Sequence, residues 1–182
     1  MIQLFSYSVI QFIFLIIICM EQVKEKRIPR GFRNNNPLNI RLGMSRWEGR
    51  ASVQSDPDFV VFRTMAFGYR AAWKLLESYR LRFYRQGKTF CLGNIIYRWA
   101  PPSDGNETMA YLYTVLHLLK NVGGREPIPP VTIAEGAARI ARILAAMTCI
   151  ENGIRWDEVD REAILAGFSL AYPQVDVPQV VW

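Results

Sequence analysis

The sequence is divided by charge at residue 20. All of its charged side chains, 22 Lys and Arg and 16 Asp and Glu, come after Met20, and an unbroken apolar run covers residues 12–19. A run of about 20 apolar residues is long enough to span a bilayer, whereas a helix of a globular domain carries charges on its outer face. Residues 1–20 are therefore predicted to stand apart from the globular domain, and a membrane contact through them is one of the interpretations that follow.

Three interpretations of residues 1–20 stay open. The segment has the apolar character of a signal peptide or anchor, but it lacks a basic start and a small-residue cleavage site. The residues before Cys19 loosely resemble a lipobox. Alternatively, translation begins at Met20. The first two interpretations place the protein in the cell envelope or on a virion, and the third leaves it cytoplasmic until release.

The chain after residue 20 is predicted to form one domain. Apolar residues make up 51% of the sequence and charged residues 21%, which is enough for a packed core and unlike a disordered chain. A basic leader over 21–33 precedes the domain, the domain covers 34–172, and a loose tail containing prolines covers 173–182.

Apolar spacing predicts a mainly α domain. Residues repeat at intervals of three and four over most of the chain, and turn or capping residues separate the repeats, among them Asn106, Thr132 and Asp157 as N-caps. The run 59–62 is strand-like and predicts a small β element near 50–62. The predicted helices are, in order, 66–85, 95–99, 107–121, 132–151 and 157–172.

Several classes of site are excluded by residue counts. The three cysteines lie far apart and His117 is the only histidine, so the sequence predicts no disulfide scaffold and no zinc cluster. It also predicts no ordinary Ser-His or Cys-His nucleophile, unless His117 itself is the base. It also contains no Gly-rich phosphate loop. We therefore expect no metal and no cofactor. The chemistry that remains is carried out by carboxylates, or there is none.

Glu151 is the strongest candidate for such chemistry. It follows Leu144 by seven residues and Met147 by four, which places it on the core-facing side of the predicted helix 132–151. A carboxyl among apolar neighbours at a helix C-terminus is favoured in its protonated form. Cleavage of a glycosidic bond requires such an acid. The alternative is an ordinary Glu whose stem packs while its carboxyl reaches water.

Further candidates lie in three polar segments, which cover residues 34–41, 47–49 and 98–111. Glu48 and Glu107 are possible second carboxylates, with Asp104 and Asp58 as alternatives. The first segment contains four Asn residues within six positions, and their side-chain amides suit hydrogen bonds to sugar hydroxyls. A tight turn with its own side-chain caps explains this cluster equally well. The aromatic residues could stack on sugars, although packing in the core is the commoner role of a Trp. The predicted sugar-binding residues are Asn34, Asn35, Asn36, Asn39, Trp47, Asp104, Asn106, Thr108 and Tyr111.

The basic balance points to a polyanionic partner. The net charge is +6 and the isoelectric point is about 9.4. The basic residues are spread over several elements rather than clustered with stacking aromatics, so a specific nucleic-acid partner ranks last. A membrane surface and an acidic cell-wall polymer are the other partners that this charge favours.

Six motifs follow one another along the chain: Arg33–Arg41, Trp47-Glu48-Gly49, Asp58–Phe62, Gly68–Ala71, Arg98–Pro102 and Asn106–Tyr111. In this order they resemble a family of phage and prophage proteins over about residues 28–172. Members of the family are usually described as virion structural proteins, and they resemble lysozyme-like enzymes that degrade peptidoglycan. Members often have Gly at the position of Leu38.

The resemblance implies a lysozyme-like domain that cleaves glycan strands, or a virion protein that contacts other virion proteins. More loosely, the family is similar to bacterial glucosaminidases with an Asn-rich turn followed by Trp-x-Gly. Their acidic Glu precedes the turn, whereas Glu151 follows it, so a match requires a permuted arrangement. With Glu151 as the acid, either a muramidase with a second carboxylate or a lytic transglycosylase with one fits the sequence. The alternative is a non-catalytic virion or assembly protein that binds the wall or a coat protein.

Overall fold

The computed structural model describes residues 27–120 and 133–182, apart from the side chains of 133–135. Predictions for 1–26 and 121–132 lie outside these ranges. They comprise the apolar segment, most of the basic leader, the end of the helix predicted over 107–121, and the N-cap at Thr132. In the described ranges, no helix is both long enough and apolar enough to cross a bilayer.

The described chain is mainly helical, as predicted. Its β structure is limited to two isolated antiparallel bridges, Arg41 to Phe59 and Arg50 to Phe62, so the strand-like run 59–62 pairs only at single residues. Two short 3₁₀ turns lie at Pro102–Asp104 and Trp156–Glu158. The helices are α1 (Arg30–Arg33), α2 (Met65–Arg85), α3 (Leu92–Trp99), α4 (Thr108–Leu119), α5 (Ile133–Asn152) and α6 (Arg161–Ala171).

Helix α5 is the centre of the domain. Five residues at the predicted apolar spacing are buried: Ala137, Ile140, Ala141, Leu144 and Met147. Every residue over 143–149 is buried, so this part of the helix is enclosed on all sides. Gly153 follows Asn152 with φ +61°, in the left-handed region that commonly ends a helix. After the enclosed part, the helix is partly exposed again in its last turn, which contains Glu151.

Helices α2 and α6 pack closely against each other. Trp73 donates from Nε1 to the carbonyl oxygen of Ile164 at 3.1 Å, and its ring meets Phe168 edge-on at 5.0 Å. A Cβ added at Gly167 would lie 2.6 Å from the Cβ of Tyr69, so only glycine permits this approach. The pair forms a rigid support for the loops that precede α2.

Two predicted N-caps are wrong. Asp157 lies in the second 3₁₀ turn and forms an exposed two-point ion pair with Arg155, and Asp160 caps α6 by accepting from the Ala163 amide at 2.9 Å. Asn106 donates its side-chain amide to the carbonyl of Pro101 at 3.0 Å, and α4 has no side-chain cap. Each predicted cap instead bonds to another group: Asp157 to the Arg155 guanidinium, and Asn106 to the Pro101 carbonyl.

The end of the leader and the tail both contact the domain. Arg30 of α1 forms hydrogen bonds with Asp56 and Asp58, so residues 30–33 are attached to the loop before α2. At the other end, Trp182 packs against the core, and the Arg161 guanidinium lies 5.5 Å from its ring centre. The folded unit thus includes residues on both sides of the predicted range 34–172.

Candidate functional site

The carboxyl group of Glu151 is held by three neutral donors. Oε1 accepts from Trp99 Nε1 at 3.1 Å and from the Tyr111 hydroxyl at 3.0 Å, and Oε2 accepts from Asn39 Nδ2 at 3.0 Å. The side chain is partly buried, and no Lys or Arg forms an ion pair with it in the described part of the chain. The donors fix the orientation of the carboxyl without neutralising it.

Asn39 reaches Glu151 because the Asn-rich loop is tightly folded. The φ of Asn39 is +48°, a left-handed conformation that Asn tolerates better than most residues. The preceding Leu38 is fully buried. Asn36 fixes the loop from inside, donating to the carbonyls of Ile40 and Val60 at 2.9 Å and accepting from the Ile40 amide.

Trp99 and Tyr111 come from the two ends of one connection. Trp99 is the last residue of α3, and Tyr111 lies in the first turn of α4. The buried Thr108 hydroxyl donates to the carbonyl of Ala100 and ties the connection together. Burial, with the neighbouring Glu151 carboxylate, raises the pKa of Tyr111 well above its usual value. The phenol therefore stays protonated and remains a donor to Glu151.

A groove with two adjoining lobes lies over these residues. The Glu151 lobe has a volume of about 340 Å³ and is lined by Glu151, Tyr111, Phe59 and Asn106, among others. The Trp47 lobe has a volume of about 310 Å³, and its lining includes Trp47, Tyr79 and Arg98. The residues that line both lobes, and so mark their junction, are Asn39, Arg41, Trp99 and Asp104.

The groove carries both signs of charge. Arg41 and Asp104 line both lobes, Arg98 lines only the Trp47 lobe, and Glu151 lines only the Glu151 lobe. The Arg98 guanidinium lies 5.5 Å from the centre of the Tyr79 ring, which lines the same lobe. Aromatic rings and charged groups therefore line the same groove, as in sites that bind sugars carrying polar substituents.

Half of the predicted site residues meet at this groove. They come from four separate segments of the chain, which the fold brings together around one carboxyl. The predicted residues that line a lobe are Asn39, Trp47, Asp104, Asn106, Tyr111 and Glu151.

The other predicted amides form hydrogen bonds within the fold. Asn34, buried, donates to Asp56 at 2.7 Å, Asn35 donates to the carbonyl of Phe62 at 3.1 Å, and Asn36 forms the bonds described above. A Cβ added at Gly68 would lie 2.1 Å from the Asn35 carbonyl oxygen, so the loop rests directly on α2. In this arrangement these three residues shape the loop that presents Asn39.

The remaining predicted carboxylates, apart from Asp104, lie outside both lobes. Glu48 forms an ion pair with Arg70, Asp58 is hydrogen-bonded to Arg30 at 2.8 Å, and Glu107 is exposed at the start of α4. Thr108, predicted to bind sugar, is buried beneath the connection. Within the described ranges, no group of three His, Cys, Asp or Glu residues could hold a metal ion.

Sequence reasoning did not select Trp99, Arg41 or Arg98 as site residues. The signal for Trp99 and Arg98 was their position immediately before a rigid Ala-Pro-Pro sequence, which fixes the end of α3. Arg41 directly follows the Asn-rich loop. The positions of these three residues along the sequence do not by themselves indicate that they share a site, because only the fold brings them together.

Comparison with known proteins places this chain beside one from a bacterial virus. No family model matches it. Over 86 residues it is 38% identical to protein P5 of Pseudoalteromonas phage PM2. The chain is similar to a phage protein. The match covers 46% of this chain and 51% of P5, so the chain spans about half the length of the curated relative that it matches. This similarity supports the predicted resemblance to phage proteins. It does not test the lysozyme-like part of that prediction.

Proposed function

We propose that this protein cleaves the glycan strands of bacterial peptidoglycan, with Glu151 as the general acid. The observation that carries the proposal is the position of the carboxyl: Glu151 lines one lobe and is hydrogen-bonded to Asn39 and Trp99, which line both. A sugar chain running from one lobe to the other would pass this carboxyl. The similarity to a phage protein supports the proposal because phages must cross a cell wall.

The reaction that best suits the groove uses one carboxyl. Glu151 gives its proton to the oxygen between two sugars as the bond from that oxygen to the sugar C1 breaks. The C6 hydroxyl of the same sugar then attacks C1 and returns a proton to the Glu151 carboxylate. No water is consumed, and the product ends in an internal anhydro ring. This is the lytic transglycosylase form of the reaction.

The positions of the other carboxylates support a single acid. Hydrolysis requires a second carboxylate facing the first across the scissile bond. Among the predicted candidates, Glu48, Glu107 and Asp58 lie outside the groove, which leaves Asp104. Asp104 is exposed, and Ser103 donates to it at 3.3 Å. We assign Asp104 to sugar binding rather than to chemistry.

Substitution of Asp104 tests this assignment. We expect Asp104→Asn to clear peptidoglycan in a gel assay at a rate within about tenfold of the unmodified protein, since loss of a second catalytic carboxylate would cost about 10²–10⁴-fold. The matched control is Asp157→Asn, which removes another exposed carboxylate, outside the groove. Loss of clearing in Asp104→Asn alone, with the fold retained, would make the enzyme a hydrolase with two acids.

A non-catalytic role is the second candidate. Within the described residues, three side-chain hydrogen bonds to the Glu151 carboxyl tie together the Asn-rich loop, α3, α4 and α5. A carboxyl with that role alone suits a virion or assembly protein that binds the wall or a coat protein. Such a protein would sediment with purified peptidoglycan and release no soluble fragments from it.

A further inference from the structure

Two guanidinium groups in the groove form no ion pair with any carboxylate in the part of the chain that the structure describes. Arg41 and Arg98 both line the Trp47 lobe. Both lie near aromatic rings: Arg41 is 6.0 Å from the centre of Phe59, and Arg98 is 5.5 Å from the centre of Tyr79. Within the described residues, neither forms an ion pair with a carboxylate. Their charges are therefore available to a ligand.

Two other arginines near the groove, Arg30 and Arg70, do form ion pairs with carboxylates. Arg30 is bound to Asp56 and Asp58, and Arg70 is bound to Glu48, so carboxylates nearby are already paired with other cations. Asp104 also lines the groove, but it is not within ion-pair distance of Arg41 or Arg98. The fold keeps these two cations in the groove without neutralising them.

The two lobes differ in their balance of charge. Arg41 and Asp104 contribute equally to both because they line both. Arg98 then adds a positive charge to the Trp47 lobe, and Glu151 adds a carboxyl to the other. A strand with acidic groups on alternate sugars would be favoured when one acidic sugar occupies the Trp47 lobe.

We propose that the Trp47 lobe is a binding site for a sugar that carries a carboxylate, with Arg98 as its principal partner and Arg41 as the second. The indole of Trp47 provides a flat apolar surface for the ring in the same lobe. Arginine suits this role because its planar guanidinium can donate two parallel hydrogen bonds to one carboxylate. The inference rests on the proposed function, since it names the chemical class of that substrate.

Two sources could provide the carboxylate in peptidoglycan. One is the lactyl group of N-acetylmuramic acid in strands without peptides, and the other is the peptide attached to that group. Three ligands separate them: a tetramer of N-acetylglucosamine, which is neutral; an alternating tetrasaccharide with free lactyl groups; and the same tetrasaccharide carrying its peptides. Binding is measured by calorimetry with the full-length Glu151→Gln variant, so that no ligand is consumed.

We expect at least one acidic tetrasaccharide to bind about tenfold or more tightly than the neutral tetramer, because a charge-assisted hydrogen bond is worth at least that ratio. Adding Arg98→Gln should remove most of the preference and leave only the part due to Arg41, and high salt should reduce it. The control is Arg33→Gln, which removes an exposed arginine that lines neither lobe. The stronger of the two acidic ligands identifies the source of the carboxylate.

Equal binding of all three ligands, or a preference that Arg98→Gln leaves undiminished, would overturn the proposal. Cleavage by the unmodified protein is measured separately. Cleavage without an acidic preference would leave the proposed function standing and remove this inference. An acidic preference that depends on Arg98, without cleavage, would support the binding site in a non-catalytic protein.

Discussion

Glu151→Gln is expected to lower the rate of fragment release from peptidoglycan by about 10²–10⁴-fold, the usual loss when a general acid is removed. Glutamine has nearly the same shape as glutamate, but its amide N–H is far too weak an acid to protonate a leaving oxygen. The measurement is the initial rate of soluble fragment release, with both proteins at equal concentration.

The Glu151→Gln variant should stay folded because its hydrogen bonds can be rearranged. The amide oxygen of the substituted side chain can still accept from Trp99 and Tyr111, while its NH₂ group would face the NH₂ group of Asn39. Asn39 Oδ1 is buried and has no hydrogen-bond partner among the described residues, so rotation of that amide provides an acceptor. We therefore expect the free energy of unfolding to change by about 1 kcal/mol or less.

Glu77→Gln is the matched control for this substitution. Glu77 is also partly buried and accepts a tyrosine hydroxyl, that of Tyr172, at 2.9 Å, but it lines neither lobe of the groove. It should release fragments at the rate of the unmodified protein. Undiminished release by Glu151→Gln would remove Glu151 from the mechanism, and equal losses in both variants would indicate a general effect of removing a partly buried carboxylate.

Asp56→Asn is expected to lower the free energy of unfolding by about 2–3 kcal/mol. Asp56 accepts hydrogen bonds from Arg30, from the buried Asn34, and from the amides of Asp58 and Phe59. Breaking a buried ion pair costs about 3–5 kcal/mol, and the loss is smaller here because the Arg30 side chain is 39% exposed. Urea denaturation at neutral pH measures the difference.

The stability of the unmodified protein should also depend on Asp56 at low pH. Hydrogen bonds from Arg30 hold the pKa of Asp56 well below its usual range. A carboxyl with a lowered pKa in the folded state adds stability above its unfolded pKa near 4, and this stability is lost as the pH falls further. The free energy of unfolding should therefore decrease below about pH 4, and less steeply in Asp56→Asn.

The exposed ion pair of Asp157 with Arg155 provides the comparison. Its side chains are 68% and 75% exposed, so Asp157→Asn should change stability little even though Arg155 also lowers the pKa of Asp157. Equal losses of stability in Asp157→Asn and Asp56→Asn would contradict a special role for Asp56 in fixing the Asn-rich loop.

The local parts of this structure could be predicted from the sequence. The apolar spacing placed α2 over 66–85, against the observed Met65–Arg85, because a long amphipathic helix repeats its signal over several turns. The same reasoning placed Glu151 at the edge of the core. The sequence could not show that Asp160 rather than Asp157 caps α6. Asp157 is hydrogen-bonded to Arg155, and this interaction is known only from the structure.

The meeting of residues at the site could not be predicted from spacing. The donors Trp99, Tyr111 and Asn39 lie 52, 40 and 112 residues from Glu151 along the chain. Nor could the sequence separate Asn39, at the groove, from Asn36, within the loop. An amide that fixes a turn and one that faces a ligand have the same chemistry, and only the path of the chain separates them.

The central claim is that Glu151 transfers a proton in a reaction in which the sugar's own hydroxyl takes the place of water. Mass spectrometry of fragments released from purified peptidoglycan, in water labelled with heavy oxygen, tests it most directly. We predict that the unmodified protein releases unlabelled fragments that are one water lighter than hydrolysis products, and that Glu151→Gln releases almost none. Labelled fragments, no fragments from the unmodified protein, or the same fragments from Glu151→Gln would contradict the claim.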